Sequence, residues 1–225
     1  MSYQLKKRIF TSLFLITLFV FVFFYSFILI ISLIIISIIS WIEFYGLISK
    51  ILTKNTFKIK FLKLLIKATS LLYLTIFSFL IFVGITQTDH VFNTLYLFSI
   101  CILSDIGGLM FGKFFKGKKL TKISPSKTIS GSLGSFILSL ISVPLFYYFL
   151  PEKFNNPYDL IILAIIVSFS CQLGDLFISY LKRKAKVKDT GDLLPGHGGF
   201  LDRIDGILFA VPVGMILWKF LTVTI

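Results

Sequence analysis

The sequence predicts an all-α polytopic membrane protein with about seven transmembrane helices. Of the 225 residues, 56% are hydrophobic and only 15% are charged, which is far from the composition of soluble domains. The mean hydropathy is +0.94. Apolar runs of about 20 residues, enough to cross a bilayer core of roughly 30 Å, recur along the chain. Since only short connections remain between them, we predict a single integral membrane domain, residues 1–225.

Residues 1–68 are predicted to form an N-terminal helical hairpin and a basic segment. The run from Ile9 to Ile48 contains one charged residue, Glu43. As a single helix it would extend about 60 Å, twice the bilayer core, so we expect two helices with a turn near Tyr25-Ser26. No small-residue cleavage site precedes this turn, which indicates a retained anchor. The lysines between Lys50 and Lys67 fit either a helix lying in the membrane interface or a solvated basic loop.

Residues 69–225 are predicted to form the membrane core, with five further spans separated by short polar or basic loops. These spans are Ser70 to Thr86, Val91 to Phe111, Ser132 to Leu150, Leu160 to Leu181 and Ile204 to Val223. Two cysteines, Cys101 and Cys171, lie inside apolar runs without paired spacing. We therefore expect them to be buried in apolar packing and to form neither a disulfide framework nor a zinc site.

The distribution of basic residues predicts the orientation in the membrane. With seven crossings and a cytoplasmic N-terminus, all of the 23 basic residues except Lys153 and Lys219 face the cytoplasm, as the positive-inside rule requires. Topology thus accounts for the net charge of +13, and we expect no nucleic-acid binding. The expected location is a bacterial-type inner membrane, with the functional loops on the cytoplasmic face.

Half of the ten acidic residues lie between Gly174 and Gly206, which we call the signature segment. Its fixed positions are Ser179, Lys182, Arg183, Lys188, Asp189, Gly191, Pro195, Gly196, His197, Gly198, Gly199, Asp202, Arg203 and Asp205. This series resembles the signature of the phosphatidate cytidylyltransferases, the CDP-diacylglycerol synthases. The glycines from 196 to 199 predict a tight loop that a ligand can approach closely.

The acidic residues of the signature segment predict a cation site. Asp175 stands in an apolar span, where a carboxylate costs at least about 2.5–3.5 kcal/mol unless it is paired or bound to a cation. Asp202 and Asp205 are three residues apart at the start of the last span, so both can point the same way. Carboxylates beside basic residues suit Mg²⁺ bound together with a polyphosphate. The alternative is an ion pair of Asp175 with Lys182 or Arg203.

A second group of polar residues follows the fourth span, and Asp105 again lies within an apolar run. It matches the family at Asp105, Lys119, Ser124, Pro125, Lys127, Thr128 and Gly131. It departs from the usual pattern at four positions, where Ser104 stands for Asn, Ser126 for Lys, Ile129 for an aromatic residue and Ser130 for Glu. The missing Glu indicates a divergent site, and a basic connector without a ligand is the alternative for this loop.

The resemblance implies an enzyme that converts CTP and phosphatidate into CDP-diacylglycerol and pyrophosphate, and it suggests a homodimer. We assign catalytic roles to Asp175, Lys182 and Asp205, and Mg²⁺ binding, with room for a second cation, to Asp175, Asp202 and Asp205. The predicted substrate contacts are Asp105, Lys127, Thr128, Ser179, Arg183, Lys188, Asp189, His197 and Arg203. Two other functions stay open: a CTP-dependent transferase or kinase acting on another lipid such as a polyprenol, and an anion transporter.

Overall fold

A computed structural model describes residues 13, 17, 18, 20–149, 157–193 and 198–223 of the chain. Within these residues it contains six long α-helices and no β-sheet. The helices are α1 (Ser26–Ile51), α2 (Phe57–Thr86), α3 (Thr88–Phe115), α4 (Ile129–Phe149), α5 (Pro157–Lys184) and α6 (Leu201–Val223). Each is long and apolar enough to cross a membrane. The prediction of an all-α polytopic membrane protein is confirmed.

The helical backbone is interrupted at Tyr25, where the sequence predicted a turn. Residues 20–24 are helical, and Tyr25 leaves the helical conformation with φ −131° and ψ 102° before α1 begins. Most of the first predicted span lies outside the described residues, so the seventh crossing stays a prediction.

The lysines between Lys50 and Lys67 lie on the end of α1, a short connection and the start of α2. Helix α1 ends at Ile51, residues 52–56 are non-helical, and α2 then continues without a break through the lysine-rich part into the apolar span. At 1.5 Å per residue the 30 residues of α2 extend about 45 Å, so the lysine-bearing turns prolong the span beyond the bilayer core. A lysine-rich stretch can stay helical, since lysine is a good helix former, and the interfacial position of this segment stays a prediction.

Helix α2 packs against α1 partly through Lys67. The Trp41 indole donates a hydrogen bond to the Lys67 carbonyl oxygen at 3.1 Å. The Lys67 ammonium lies 5.0 Å from the Trp41 ring centre and 5.2 Å from that of Tyr45, which are favourable cation–π distances. One of the predicted lipid-facing lysines therefore also joins two helices.

The helices at the signature segment extend further than predicted. Helix α5 runs on to Lys184, so that Lys182 and Arg183 lie in its last turn. Helix α6 begins at Leu201, which puts Asp202 in its first turn. Both placements match the helix dipole, which favours cations at the C-terminus and anions at the N-terminus.

The chain forms two compact units. The first contains the described residues up to Thr86 together with Leu181–Ile204, and the second contains Gln87–Tyr180 together with the described residues from Asp205 onwards. The first unit thus combines the N-terminal helices with most of the signature segment. Whether residues 1–225 act as a single domain stays a prediction.

Glycines bring α3 and α4 into close contact in the second unit. A Cβ atom on Gly131 would lie 2.8 Å from the carbonyl oxygen of Gly108, and one on Gly134 would meet the Phe111 side chain. Small residues at these positions let two helix backbones approach closely, as in other membrane helix pairs. This packing fixes the position of Asp105 on α3 relative to the loop before α4.

Candidate functional site

Three intramembrane carboxylates from three helices form a cluster in the second unit. Asp105 lies on α3, Asp175 on α5 and Asp205 on α6. Asp205 is close enough to the other two to interact with both electrostatically, and Lys127 acts on the same group. Lys127 also forms an ion pair with Asp175. We call these four residues the carboxylate cluster.

Small residues allow α5 and α6 to meet beside the cluster. A Cβ atom on Gly206 would lie 2.5 Å from the Cys171 sulfur, and one on Gly174 would collide with the Asp205 carbonyl oxygen. Cys101 and Cys171 are both buried free thiols, which confirms their predicted role in packing. The fixed helix contact holds Asp175 and Asp205 in a defined relation to each other.

Neighbouring polar groups orient the carboxylates. The Ser179 hydroxyl donates to Asp175 at 3.4 Å, and the Cys171 thiol donates to Asp105 at 3.9 Å. Gln172 accepts a hydrogen bond from Ser132 at 2.5 Å, and its buried Nε2 has no partner in the described part of the chain. A buried amide N–H group without a partner is costly, so the Gln172 side chain is a feature of this helix contact that its own hydrogen bonds do not explain. The sequence analysis gave Gln172 no role.

Lys127 lies in a short antiparallel turn next to the carboxylate cluster. The Leu120 N–H donates to the Lys127 carbonyl at 2.8 Å, and the Lys127 N–H donates to Ser124 at 3.1 Å. This backbone pairing aligns the loop just before α4 begins. The loop around Lys127 therefore has a defined backbone structure, and its contact with a ligand stays a prediction.

Thr128 caps the N-terminus of α4. Its hydroxyl accepts the Gly131 N–H at 3.0 Å, which satisfies one of the free backbone donors in the first helical turn. Ser130, which stands where the family usually has Glu, hydrogen-bonds to the Thr128 hydroxyl at 3.1 Å and accepts the Gly117 N–H at 3.3 Å. In the structure Thr128 has this capping role, and its predicted contact with substrate stays a prediction.

The carboxylate cluster offers oxygen donors, the ligand type that Mg²⁺ prefers. Within the described residues no group of three or more His, Cys, Asp or Glu side chains is arranged to hold a metal ion by itself. Mg²⁺ does not need such a cage, because it is commonly held by one or two carboxylates, substrate phosphates and water. Three carboxylates acting on one another, with one lysine paired to Asp175, favour an added cation.

A second network lies in the first unit and contains Lys182 and Asp202. The Lys182 ammonium donates to Asp202 Oδ1 at 2.6 Å, and both side chains are largely buried. Asp202 Oδ2 accepts the Thr190 N–H at 2.8 Å and the Thr190 hydroxyl at 3.1 Å. Both Asp202 oxygens thus have protein partners, and its predicted role at a cation stays a prediction.

Glu43, on α1, joins this network and was not singled out from the sequence. Its carboxylate accepts the Thr190 hydroxyl at 2.8 Å and the backbone N–H groups of Phe200 at 3.0 Å and Leu201 at 2.9 Å. The rule that marked Asp105 and Asp175, a carboxylate inside an apolar span, applies equally to Glu43. That signal could have identified it.

The signature glycines serve the loop's own packing where they are described. A Cβ atom on Gly191 or on Gly199 would lie 2.6 Å from a Glu43 carboxylate oxygen. Gly198 has φ +82°, a conformation that other residues rarely adopt. Gly199 thus approaches Glu43, Gly198 approaches Asp189, and Gly196 lies outside the described residues, so close approach of a ligand to this loop stays a prediction.

The remaining predicted contacts are mostly on the surface. Arg183, Lys188, Asp189 and Arg203 are exposed. His197 lies outside the described residues. Exposed cations next to a buried Lys182–Asp202 pair are compatible with contacts to an anionic ligand, but within the structure their roles stay predictions.

By its fold and its sites, the chain is a polytopic membrane protein with a carboxylate cluster formed by three of its apolar helices and a basic, glycine-containing signature segment. A profile of the Cytidylyltransferase family matches residues 3–221, and the chain belongs to that family.

Several relatives carry the name phosphatidate cytidylyltransferase. The chain is 44% identical to that of Staphylococcus haemolyticus (strain JCSC1435) over 133 residues, which cover 59% of this chain and 51% of the relative. It is 40% identical to that of Rickettsia typhi (strain ATCC VR-144 / Wilmington) over 142 residues, which cover 60% of this chain and 62% of the relative. These matches span between half and two thirds of the relatives' own length.

Proposed function

We propose that the protein is a CTP:phosphatidate cytidylyltransferase. The observation that carries the proposal is the cluster of Asp175 and Asp205, two acidic residues of the signature segment, with Asp105 and Lys127. The family membership and the names of the relatives support the same activity. The substrates are CTP and phosphatidate, and the products are CDP-diacylglycerol and pyrophosphate.

The reaction is a displacement at the α-phosphorus of CTP. A phosphate oxygen of phosphatidate forms the new bond, the bond from the α-phosphorus to the bridging oxygen breaks, and pyrophosphate leaves with the electron pair. The nucleophile is already anionic, so no residue has to remove a proton. The protein must mainly align the two anions and neutralise their charge.

Different residues would bind the cation, contact the phosphates and position other side chains. Asp175 and Asp205 would hold Mg²⁺, which supplies charge neutralisation on the phosphates when bound. Asp105 adds negative charge to the cluster, and Asp202 holds Lys182. Lys182 and Arg183 would contact phosphate groups, as the resemblance of the signature implies. Lys127, which pairs with Asp175, would contact an anionic substrate.

The basic residues support a cytoplasmic position for these sites. A nucleotide from the cytosol and a lipid headgroup can meet only at the cytoplasmic interface, where the positive-inside rule puts the basic loops. We therefore propose an inner-membrane protein whose active site faces the cytoplasm. A homodimer is also proposed, and light scattering of the purified protein in detergent would test it.

The direct test is purified protein incubated with CTP, phosphatidate and Mg²⁺. We expect equal amounts of pyrophosphate and CDP-lipid, and neither product when phosphatidate is left out. Release of CDP with a phosphorylated polyprenol would identify a lipid kinase. Absence of any CTP-dependent product or CTP-dependent thermal stabilisation would contradict the proposal and favour the transporter alternative.

A further inference from the structure

Glu43 is a carboxylate inside an otherwise apolar membrane helix. It lies on α1 and is 8% exposed. A charge at this depth is costly unless other groups compensate it. In the described residues the groups that do so are a hydroxyl and two backbone N–H groups.

These donors all belong to the signature segment. Leu201 is the first residue of α6, and its N–H and that of Phe200 point at Glu43 at 2.9 and 3.0 Å. The first N–H groups of a helix have no partner within the helix, and they form a positive end that favours an anion. Glu43 thus supplies from α1 the cap that α6 lacks in its own sequence.

The loop is also shaped around this carboxylate. Gly191 and Gly199 approach Glu43 so closely that a Cβ atom on either would lie 2.6 Å from a carboxylate oxygen. A side chain at either position would push the loop away. The two glycines and Glu43 therefore pack tightly against one another.

Thr190 connects Glu43 to the Lys182–Asp202 pair. Its hydroxyl lies 2.8 Å from a Glu43 oxygen and 3.1 Å from Asp202 Oδ2, and its N–H also donates to Asp202. A hydroxyl has one proton and can donate to only one of the two carboxylates at a time. Since Asp202 also accepts from Lys182, the position of Glu43 is transmitted to the Lys182 ammonium through two hydrogen-bonded residues.

We propose that Glu43 is a positioning residue. It holds the signature segment at Thr190, Phe200 and Leu201 and, through Thr190 and Asp202, orients the Lys182 ammonium towards the nucleotide phosphates. This inference rests on the proposed function for its effect on CTP. Its structural part, the attachment of the loop to α1, does not depend on that function. The two parts can therefore be tested separately.

The kinetic test uses Glu43→Gln, Thr190→Val and the double variant. Each single change removes a hydrogen bond worth about 1 kcal/mol, so we expect the KM for CTP to rise at least about 5-fold. The KM for phosphatidate should stay within about twofold, because the network is proposed to position Lys182 for the nucleotide. The KM for CTP of the double variant should not exceed that of the more strongly affected single variant, since both changes break the same connection.

Two matched controls are available in the first unit. Ser40→Ala removes a buried hydroxyl of α1 that donates to the Ile36 carbonyl, and Thr75→Val removes a hydroxyl of α2 that donates to Leu72. Both should keep wild-type KM values. Merely losing folded protein would lower kcat and leave both KM values unchanged, and that result for Glu43→Gln would overturn the proposal.

The structural test is tryptic cleavage of the exposed basic residues between Arg183 and Lys188. We expect Glu43→Gln to be cut at least about 5-fold faster than wild type and Ser40→Ala at the wild-type rate. An unchanged rate would overturn the inference even if the wild type were inactive towards phosphatidate. If Glu43→Gln does not fold, Thr190→Val decides: faster cleavage with an unchanged melting temperature supports the proposal, and wild-type cleavage refutes it.

Discussion

Replacing Lys127 with methionine should make the carboxylate cluster bind divalent cations more tightly. Lys127 pairs with Asp175, and the two side chains are 24% and 35% exposed. Two unit charges about 4 Å apart interact by about 4 kcal/mol near a protein surface, and this exposure reduces the value to about 1–2 kcal/mol. A cation must displace the ammonium from Asp175. Its removal should therefore lower the Mg²⁺ concentration needed for half-maximal effect by about 5- to 30-fold.

The assay is the melting temperature of the detergent-solubilised protein at increasing Mg²⁺ concentration, because a ligand that binds only the folded state stabilises it. Turnover should fall in the same variant, since Lys127 is also proposed to contact substrate. Lys122→Met is the matched control: it removes the same charge from an exposed position in the same loop and should leave the Mg²⁺ dependence unchanged. An unchanged or higher Mg²⁺ requirement in Lys127→Met would refute the reasoning.

Two further predictions concern the backbone. Gly131→Ala should destabilise the protein by about 1–3 kcal/mol, because its Cβ would lie 2.8 Å from the rigid Gly108 carbonyl, whereas Gly46→Ala, with open space around it, should cause no loss in the same thermal assay. Lys186, two residues after the end of α5, is in the left-handed conformation with φ 56°, so Lys186→Gly should raise stability by up to about 1 kcal/mol. A lower melting temperature for Lys186→Gly would show that its side chain contributes more than its backbone strain costs.

The membrane spans could be predicted from the sequence because apolar length is a local property. The helix break at Tyr25 followed from length alone, although no Gly or Pro marks it. The continuity of α2 through its lysines could not be predicted in the same way. Helix formation is cooperative, and a lysine-rich stretch adjoining an apolar helix can extend it.

The candidate site could be predicted only in part. The intramembrane positions of Asp105 and Asp175 marked them as functional, and the structure brings both to Asp205. The spacing of Asp202 and Asp205 suggested a shared target, yet Asp202 accepts hydrogen bonds from Lys182 and Thr190. Residues three apart on a helix lie on the same face, but that spacing does not decide which partner each side chain contacts.

The contacts of Glu43 and Gly199 depend on long-range packing. Glycines in a signature loop favour close approach of some group, but the sequence does not say whether that group is a ligand or another part of the chain. Here it is a carboxylate from α1. Only the three-dimensional structure could distinguish the two.

The most direct measurement is Mn²⁺ binding, as a probe for Mg²⁺, followed by electron paramagnetic resonance in the presence of CTP. The wild type should bind Mn²⁺, and Asp175→Asn and Asp205→Asn should each weaken binding at least about 10-fold, the loss that even outer partners of a metal produce. Asp159→Asn, near the opposite end of α5, should bind as the wild type does. Wild-type Mn²⁺ affinity in both cluster variants would contradict the assignment of Asp175 and Asp205 as the cation site.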